Sequence, residues 1–297
     1  MTFRRFVRKF VTNPLSVLGL LLLLGFVAMA IAAPFLAPPQ GERAKREPYR
    51  IPRDGFAAEP LPPDEKHRFG TTEGQYDIYY GVVWGTRTAF KVGIICTSIT
   101  LVIGLIVGST AAYYGGWVDE TLMRIVEIFQ AFPFLLAAIT LTAVLQARLG
   151  RGLITGMLAL TAFGWTGYSR LIRGDILAVK QRDYVLAARA VGVTNGRILI
   201  RHILPNAMFP TMVVASMRIA DYVLSFAGLS FLGLGTEIGY ADWGQMISFA
   251  RNWIPSLAKY WYILVYPGMA IVLFVLAWNL VGDAFRDILD PRLQGSR

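Results

Sequence analysis

The sequence is poor in the residues that do chemistry. Its single cysteine, Cys96, lies inside an apolar run, so no intrachain disulfide can form and no redox compartment is indicated. Its two histidines, His67 and His202, are too far apart to frame a metal site by spacing. No segment pairs a nucleophile with a base, and no glycine-rich loop has the pattern that cradles phosphate. No catalytic, cofactor-binding or metal-binding residue is therefore assigned, and any ATP chemistry must reside on another chain. Charge is scarce too: Asp, Glu, Lys and Arg make up 16% of residues, below the roughly 25% of soluble domains.

Apolar residues take the place that charge leaves. They make up 55% of the chain, and a helix needs about 20 mostly apolar residues to cross a hydrocarbon core roughly 30 Å thick. Six runs approach that requirement: residues 15–36, 88–113, 122–145, 153–170, 207–229 and 262–283. Hydrocarbon offers no water to satisfy backbone N–H and C=O groups, so spans are helices or closed barrels, and unbroken apolar runs lack the alternation of barrel strands. The expected fold is an all-α membrane protein with six transmembrane helices.

A net charge of +10 would suit a nucleic-acid binder if the basic residues were gathered on a soluble domain. They cluster beside particular spans instead, so no nucleic acid is expected. Arg4, Arg5, Arg8 and Lys9 precede the first run with no acid among them, which holds the N-terminus in the cytoplasm. Arg173, Lys180, Arg182, Arg189, Arg197 and Arg201 lie between the fourth and fifth runs against Asp175 and Asp183, and alternation of spans puts that loop inside as well. The first run is longer than the apolar core of a secretory signal and reads as a retained anchor. The expected layout is a cytoplasmic N-terminus at 1–13, a first span at 14–36, an external loop at 37–87, a five-helix core at 88–283 containing a cytoplasmic loop at 171–206, and a cytoplasmic tail at 284–297.

Smaller features fit this layout. The external loop carries Pro38, Pro39, Pro48, Pro52, Pro60, Pro62 and Pro63 and reads as extended. Asp119 and Glu120 follow the turn Tyr114-Gly115-Gly116-Trp117, where negative charge suits a helix start. Gly104 and Gly108 form a small-xxx-small pair that lets backbones pack closely, most simply within this chain. Arg124 and Glu127 are spaced to pair on one helix face, Lys91 to snorkel to the interface, and Trp253, Tyr260, Trp261, Tyr262 and Tyr266 to form an interfacial belt.

The loop from Asp183 to Asn206 is the most distinctive segment. Leu186, Ala187, Ala190 and Val191 share one helical face, as do Leu199, Ile200, Ile203 and Leu204. Gly192 and Asn195-Gly196 separate the two stretches, Thr194 or Asn195 is placed to cap the second, and Pro205 to limit it. A compact helix–turn–helix outside the bilayer is expected. From the residues alone it is either an amphipathic helix on anionic lipid or a docking site for a cytosolic protein.

Ala187-Ala188, Gly192 and Leu204-Pro205 at their fixed distances resemble the EAA loop of bacterial ABC importer permeases, and Arg201-His202-Ile203-Leu204-Pro205-Asn206 resembles its dipeptide/oligopeptide branch. His67, Gly70, Thr71 and Asp77, Tyr114-Gly115-Gly116-Trp117-Val118-Asp119, Leu229-Ser230-Phe231-Leu232-Gly233-Leu234-Gly235, Trp243-Gly244 and Asp290-Pro291-Arg292-Leu293 match further segments in family order, so the resemblance covers nearly the whole chain. It has particular likeness to the C-type permease subunit. The resemblance implies type I importer architecture in a bacterial or archaeal cytoplasmic membrane, a homologous B-type permease partner, two cytosolic ATPases that bind ATP and Mg, an extracytoplasmic binding protein, and di- or oligopeptide as cargo. Nickel, glutathione and oligosaccharide are handled by similar permeases. It further implies that Ala187, Ala188, Arg189, Gly192, Val193, Thr194, Arg197, Leu204 and Pro205 couple the permease to an ATPase. Three departures stand out: Leu186 replaces the motif's Glu, the segment from Thr72 to Tyr76 lacks the usual acidic and Gly-Arg residues, and Phe226 stands where many relatives have an acid.

Asp221 lies inside the fifth run, where a central carboxylate costs roughly 2.5 to 3.5 kcal/mol, so it faces either water or a hydrogen-bonding neighbour. Asp221 and Phe226 are the candidate pathway residues. A self-sufficient secondary transporter or channel should show intramembrane acid or His relays, or inverted repeats with broken helices. Asp221 apart, the sequence offers none of these.

Overall fold

The computed structural model of the chain describes residue 10 and residues 12–289. The basic residues Arg4, Arg5, Arg8 and Lys9 and the motif Asp290-Pro291-Arg292-Leu293 lie outside the described residues. Among the described residues the secondary structure is helical, with isolated bridges such as Arg50 with Tyr240 in place of strands.

Helix α1, Pro14–Leu36, starts where Asn13 accepts a hydrogen bond from the Leu15 N–H at 3.0 Å, with Pro14 in the first turn where its missing donor costs nothing. Helix α2, Ile78–Tyr114, has 37 residues and a length of about 55 Å. It begins at Ile78 rather than Thr88 because Asp77 caps it, accepting from the Tyr80 N–H at 2.7 Å. Its added first turns bury Ile78, Tyr80, Val83 and Trp84 against the preceding loop. The third expected span is broken: α3, Gly116–Gln130, and α4, Phe134–Leu149, meet at 81°. Pro133 lies in the break, where it has no N–H to continue the ladder of α3.

Helix α5, Leu153–Lys180, extends beyond the expected Arg170. It differs from the other spans in composition. Among the described residues four helices are each long and apolar enough to cross a membrane, or five if the bent pair counts as one, and α5 is not among them. Thr155, Thr161, Thr166 and Ser169 lower its hydropathy, yet all are buried, because α5 packs along α2 in the middle of the bundle. Six helical segments thus follow in the expected order, but the expected count of six spans is not reached by length and apolarity among the described residues, with α5 the shortfall.

Helix α6, Asp183–Ala190, and a turn lead through Asn195–Arg197 and a π-helical segment, Ile198–Ile203, into α7, Leu204–Phe231. Pro205 does not end the second stretch as expected. It stands in the first turn of α7 after the wider π turn, a place that tolerates a residue without an N–H donor. Helix α8, Trp243–Ala250, and α9, Tyr262–Leu289, complete the chain; Phe26 of α1 meets Phe274 of α9 edge-on at 5.3 Å.

The loop before α2 is a strap over one end of the bundle. It is not wholly extended: the proline-free stretch after Pro39 forms a short helix, Glu42–Arg46, with Lys45 paired to Glu42 at 3.0 Å. Trp84 Nε1 donates to Ala37 O at 2.9 Å and Arg87 Nε to Ala30 O at 2.5 Å, so the end of α1 lies against the start of α2. Asn252 and Trp253 donate to the two carboxylate oxygens of Glu73 at 2.8 and 3.0 Å. The aromatic belt is mostly absorbed here. Tyr260 and Tyr262 are buried, Phe69 stacks on Tyr266 at 4.0 Å, and Trp261 keeps an exposed face. Lys91 sits 3.9 Å from the centre of the Tyr49 ring, a cation–π contact that anchors the strap.

Candidate functional site

Two regions concentrate the unexplained exposed residues. The first is the elbow formed by α6, the turn and the π segment. Its foundation is a local core in which Val185, Ala188, Ile198 and Ile203 pack with Ala112, Tyr113, Ile172 and Ile176 at the ends of α2 and α5. Lys180 Nζ donates to Ala112 O at 3.1 Å and to Tyr113 O at 2.8 Å, satisfying carbonyls at the C-terminus of α2 with a cation where the helix dipole favours one. Arg173 grips Asp119 with two hydrogen bonds of 2.5 Å and so fixes the start of α3 beside α5. The Arg124–Glu127 pair forms as expected at 3.0 Å.

The turn after α6 is a Schellman motif. Val193 N–H donates to Ala188 O at 3.1 Å and Gly192 N–H to Arg189 O at 3.0 Å, which requires a left-handed residue; Gly192 supplies it at φ +78°. Thr194 is at the cap position of the next turn, but its side chain makes no capping hydrogen bond. The face read from the first stretch points outward, while of the second stretch only Ile200 does. Leu186, Ala187 and Ala190 are exposed, Val191 is 79% exposed and Ile200 is 68% exposed, whereas Ile203 turns inward. Arg189, Arg197 and Pro205 are exposed, and Val193 and Leu204 are half-buried against the elbow's core.

The second region is a cleft of about 390 Å³ between the α3–α4 break, α5 and α7. Gln130 and Phe134 line it from the two sides of the break, Phe163 from α5, and Arg218, Asp221 and Ser225 from α7. Arg218 Nη1 donates to Asp221 Oδ2 at 3.3 Å, and the two side chains are 53% and 58% exposed. Phe226 is elsewhere. It is 2% exposed, packed with Cys96, Leu160, Tyr222 and Leu229, so it serves the core and does not line the cleft with Asp221. Sequence reasoning missed Arg218, although its three-residue spacing from Asp221 is the signal that paired Arg124 with Glu127. Among the described residues no cluster of His, Cys, Asp and Glu is arranged to hold a metal ion.

A helical bundle with a broken span and an elbow between α5 and α7 is the fold of an ABC importer permease. A solved structure of the inward-facing MetNI methionine ABC transporter matches it with a TM-score of 0.58, at 20% identity over 71% of this chain and 97% of that one. Residues 101–295 match the family model for the binding-protein-dependent transport system inner membrane component, and residues 2–52 that for the N-terminal transmembrane domain of oligopeptide transport permease C. The dipeptide transport system permease protein DppC of Bacillus subtilis is 35% identical over 288 residues, 97% of this chain and 85% of that protein. The oligopeptide permease OppC of the same organism is 34% identical over 96% of this chain and 88% of its own length. The glutathione permease GsiD of Pectobacterium atrosepticum is 35% identical over 98% and 91%. The chain belongs to the family of binding-protein-dependent transport system inner membrane components. The α3–α4 bend supplies a broken helix that the sequence did not reveal, so family membership, and not an unbroken bundle, sets this chain apart from secondary transporters.

Proposed function

We propose that the chain is one permease subunit of an ATP-driven importer of di- or oligopeptides. It pairs with a homologous B-type permease across the face that carries the cleft, and two cytosolic ATPases, which bind the ATP and Mg, engage the elbow of each permease. An extracytoplasmic binding protein delivers cargo to the strap end. Both termini and the elbow then lie in the cytoplasm of a bacterial or archaeal cell. ATP-driven closure of the ATPases moves the elbows and alternates access to the cleft. Identity of about 35% over nearly full length to dipeptide, oligopeptide and glutathione permeases supports a peptide cargo, since glutathione is itself a tripeptide.

The observation that carries this reading is an apolar face held outward by a core of its own. Exposed Leu186, Val191 and Ile200 are kept in register by Val185, Ala188, Ile198 and Ile203 beneath them. A rigid apolar patch ringed by arginines fits a protein groove. The test is Gly192→Asp. A Cβ at Gly192 meets open space, and Asp tolerates the left-handed region better than most residues, so the variant inserts and assembles. Its added charge uncouples ATP hydrolysis from uptake. Full uptake by the Gly192→Asp complex would refute the assignment.

A further inference from the structure

The cleft has features that alternate access alone does not require. Helix α7 runs from Leu204 to Phe231, which places Arg218 and Asp221 near its middle. Charges at mid-span are tolerated only against protein or water. Neither side chain is packed inside this chain, since each is more than half exposed. Faces that do suit lipid look different: α1 exposes Leu15, Leu21, Leu24, Ile31 and Phe35. The α3–α4 break opens on the same cleft through Gln130 and Phe134, and non-helical backbone at membrane depth survives only where it is buried in protein or lines a water-filled cavity. Two independent features, a charge pair and a broken helix, therefore mark this cleft as wet.

We propose that Arg218 and Asp221 form a recognition pair for zwitterionic peptides. The inference rests on the reading of the chain as a peptide importer permease. The single 3.3 Å contact uses one nitrogen of Arg218, so the guanidinium keeps donors for a carboxylate and the aspartate keeps acceptor sites for an ammonium. Without cargo the two charges neutralise each other across one helical turn. With cargo, Arg218 takes the C-terminal carboxylate and Asp221 the N-terminal ammonium. Phe134 and Phe163 add apolar walls, and Gln130, Thr166, Tyr168 and Ser225 add neutral polar groups, so Arg218 and Asp221 are the charged residues of the lining. A bare divalent cation meets repulsion from Arg218, a simple anion meets repulsion from Asp221, and a neutral sugar leaves both charges without a partner.

The test uses the assembled importer with its binding protein, and compares uptake of alanyl-alanine, its N-acetyl derivative and its C-terminal amide. The binding protein discriminates among these by itself, but it is the same for every permease variant, so variant-to-native ratios cancel its preference. In Asp221→Asn, uptake of the N-acetyl peptide relative to the free peptide rises about tenfold over the native ratio, and Arg218→Gln does the same for the amide. Ratios equal to native, in a complex that still imports the free peptide, overturn the recognition pair and leave the peptide reading standing. Equal loss of all three peptides together with loss of assembled complex assigns the pair to the permease interface and overturns it too. A native complex that imports no peptide overturns both.

Discussion

Gly104 and Gly108 show what a single missing methyl group does in this bundle. A Cβ on Gly104 would fall on Tyr168 Cβ, and one on Gly108 on the Ser169 carbonyl oxygen, so α2 and α5 touch backbone to backbone. Gly108→Ala is therefore expected to destabilise the protein by about 1–3 kcal/mol through overpacking, read as a lower melting temperature of the purified complex; an unchanged melting temperature would mean that the helices part easily. The glycine pair was legible because its spacing carries its reason. Phe226 was not: its position in the chain singled it out, but its place is set by Cys96 on α2 and Leu160 on α5, which no local pattern brings to α7. Arg218 was legible in principle and overlooked.

At the scale of elements, neither starts nor breaks were fully read, since the second span begins at Ile78 where Thr88 was expected. Asn13 and Asp77 cap α1 and α2 with their side chains, and Asp242 does the same for α8, accepting from the Gly244 N–H at 3.0 Å and from Thr236 Oγ1 at 3.1 Å. The 81° bend hides in an apolar run that hydropathy reads as continuous, although Pro133 was there to mark it. Helix α5 is the converse case, a bundle-centre helix whose buried hydroxyls make it look too polar to span. Asp242 also gives the α7–α9 connection a dependence on pH. Burial pushes its carboxyl up to about 6, against hydrogen bonds that favour the anion. The folded protein then holds a proton that the unfolded chain has released above its ordinary value of 3.8. The contribution to stability is greatest below that value and is lost as pH rises through about 6. Asp242→Asn should shrink the difference in melting temperature between about pH 5 and about pH 7.5; a variant with the native pH profile would contradict this account of the cap.

Over the whole molecule, the sequence leads to the expectation that two clusters of positive charge share one side of the membrane, and the first of them lies outside the described residues. The end of α1 lies beside the start of α2, so α1 begins at the end of the bundle where α2 finishes against the elbow. On the proposal that separate ATPases drive the permease, energy enters through the surface of the elbow. That surface was visible as a repeating apolar face. Its outward direction was not, because facing depends on Val185 and Ala188 finding α2 and α5 beneath them. The decisive measurement is bis-maleimide cross-linking in the assembled complex after Val191→Cys, with Phe35→Cys as the control. Phe35 is also highly exposed, but at the strap end of α1, and the native Cys96 is buried and gives no background. Capture of an ATPase from position 191 and not from position 35 is the predicted result; no capture from 191, or equal capture from both, would contradict the account.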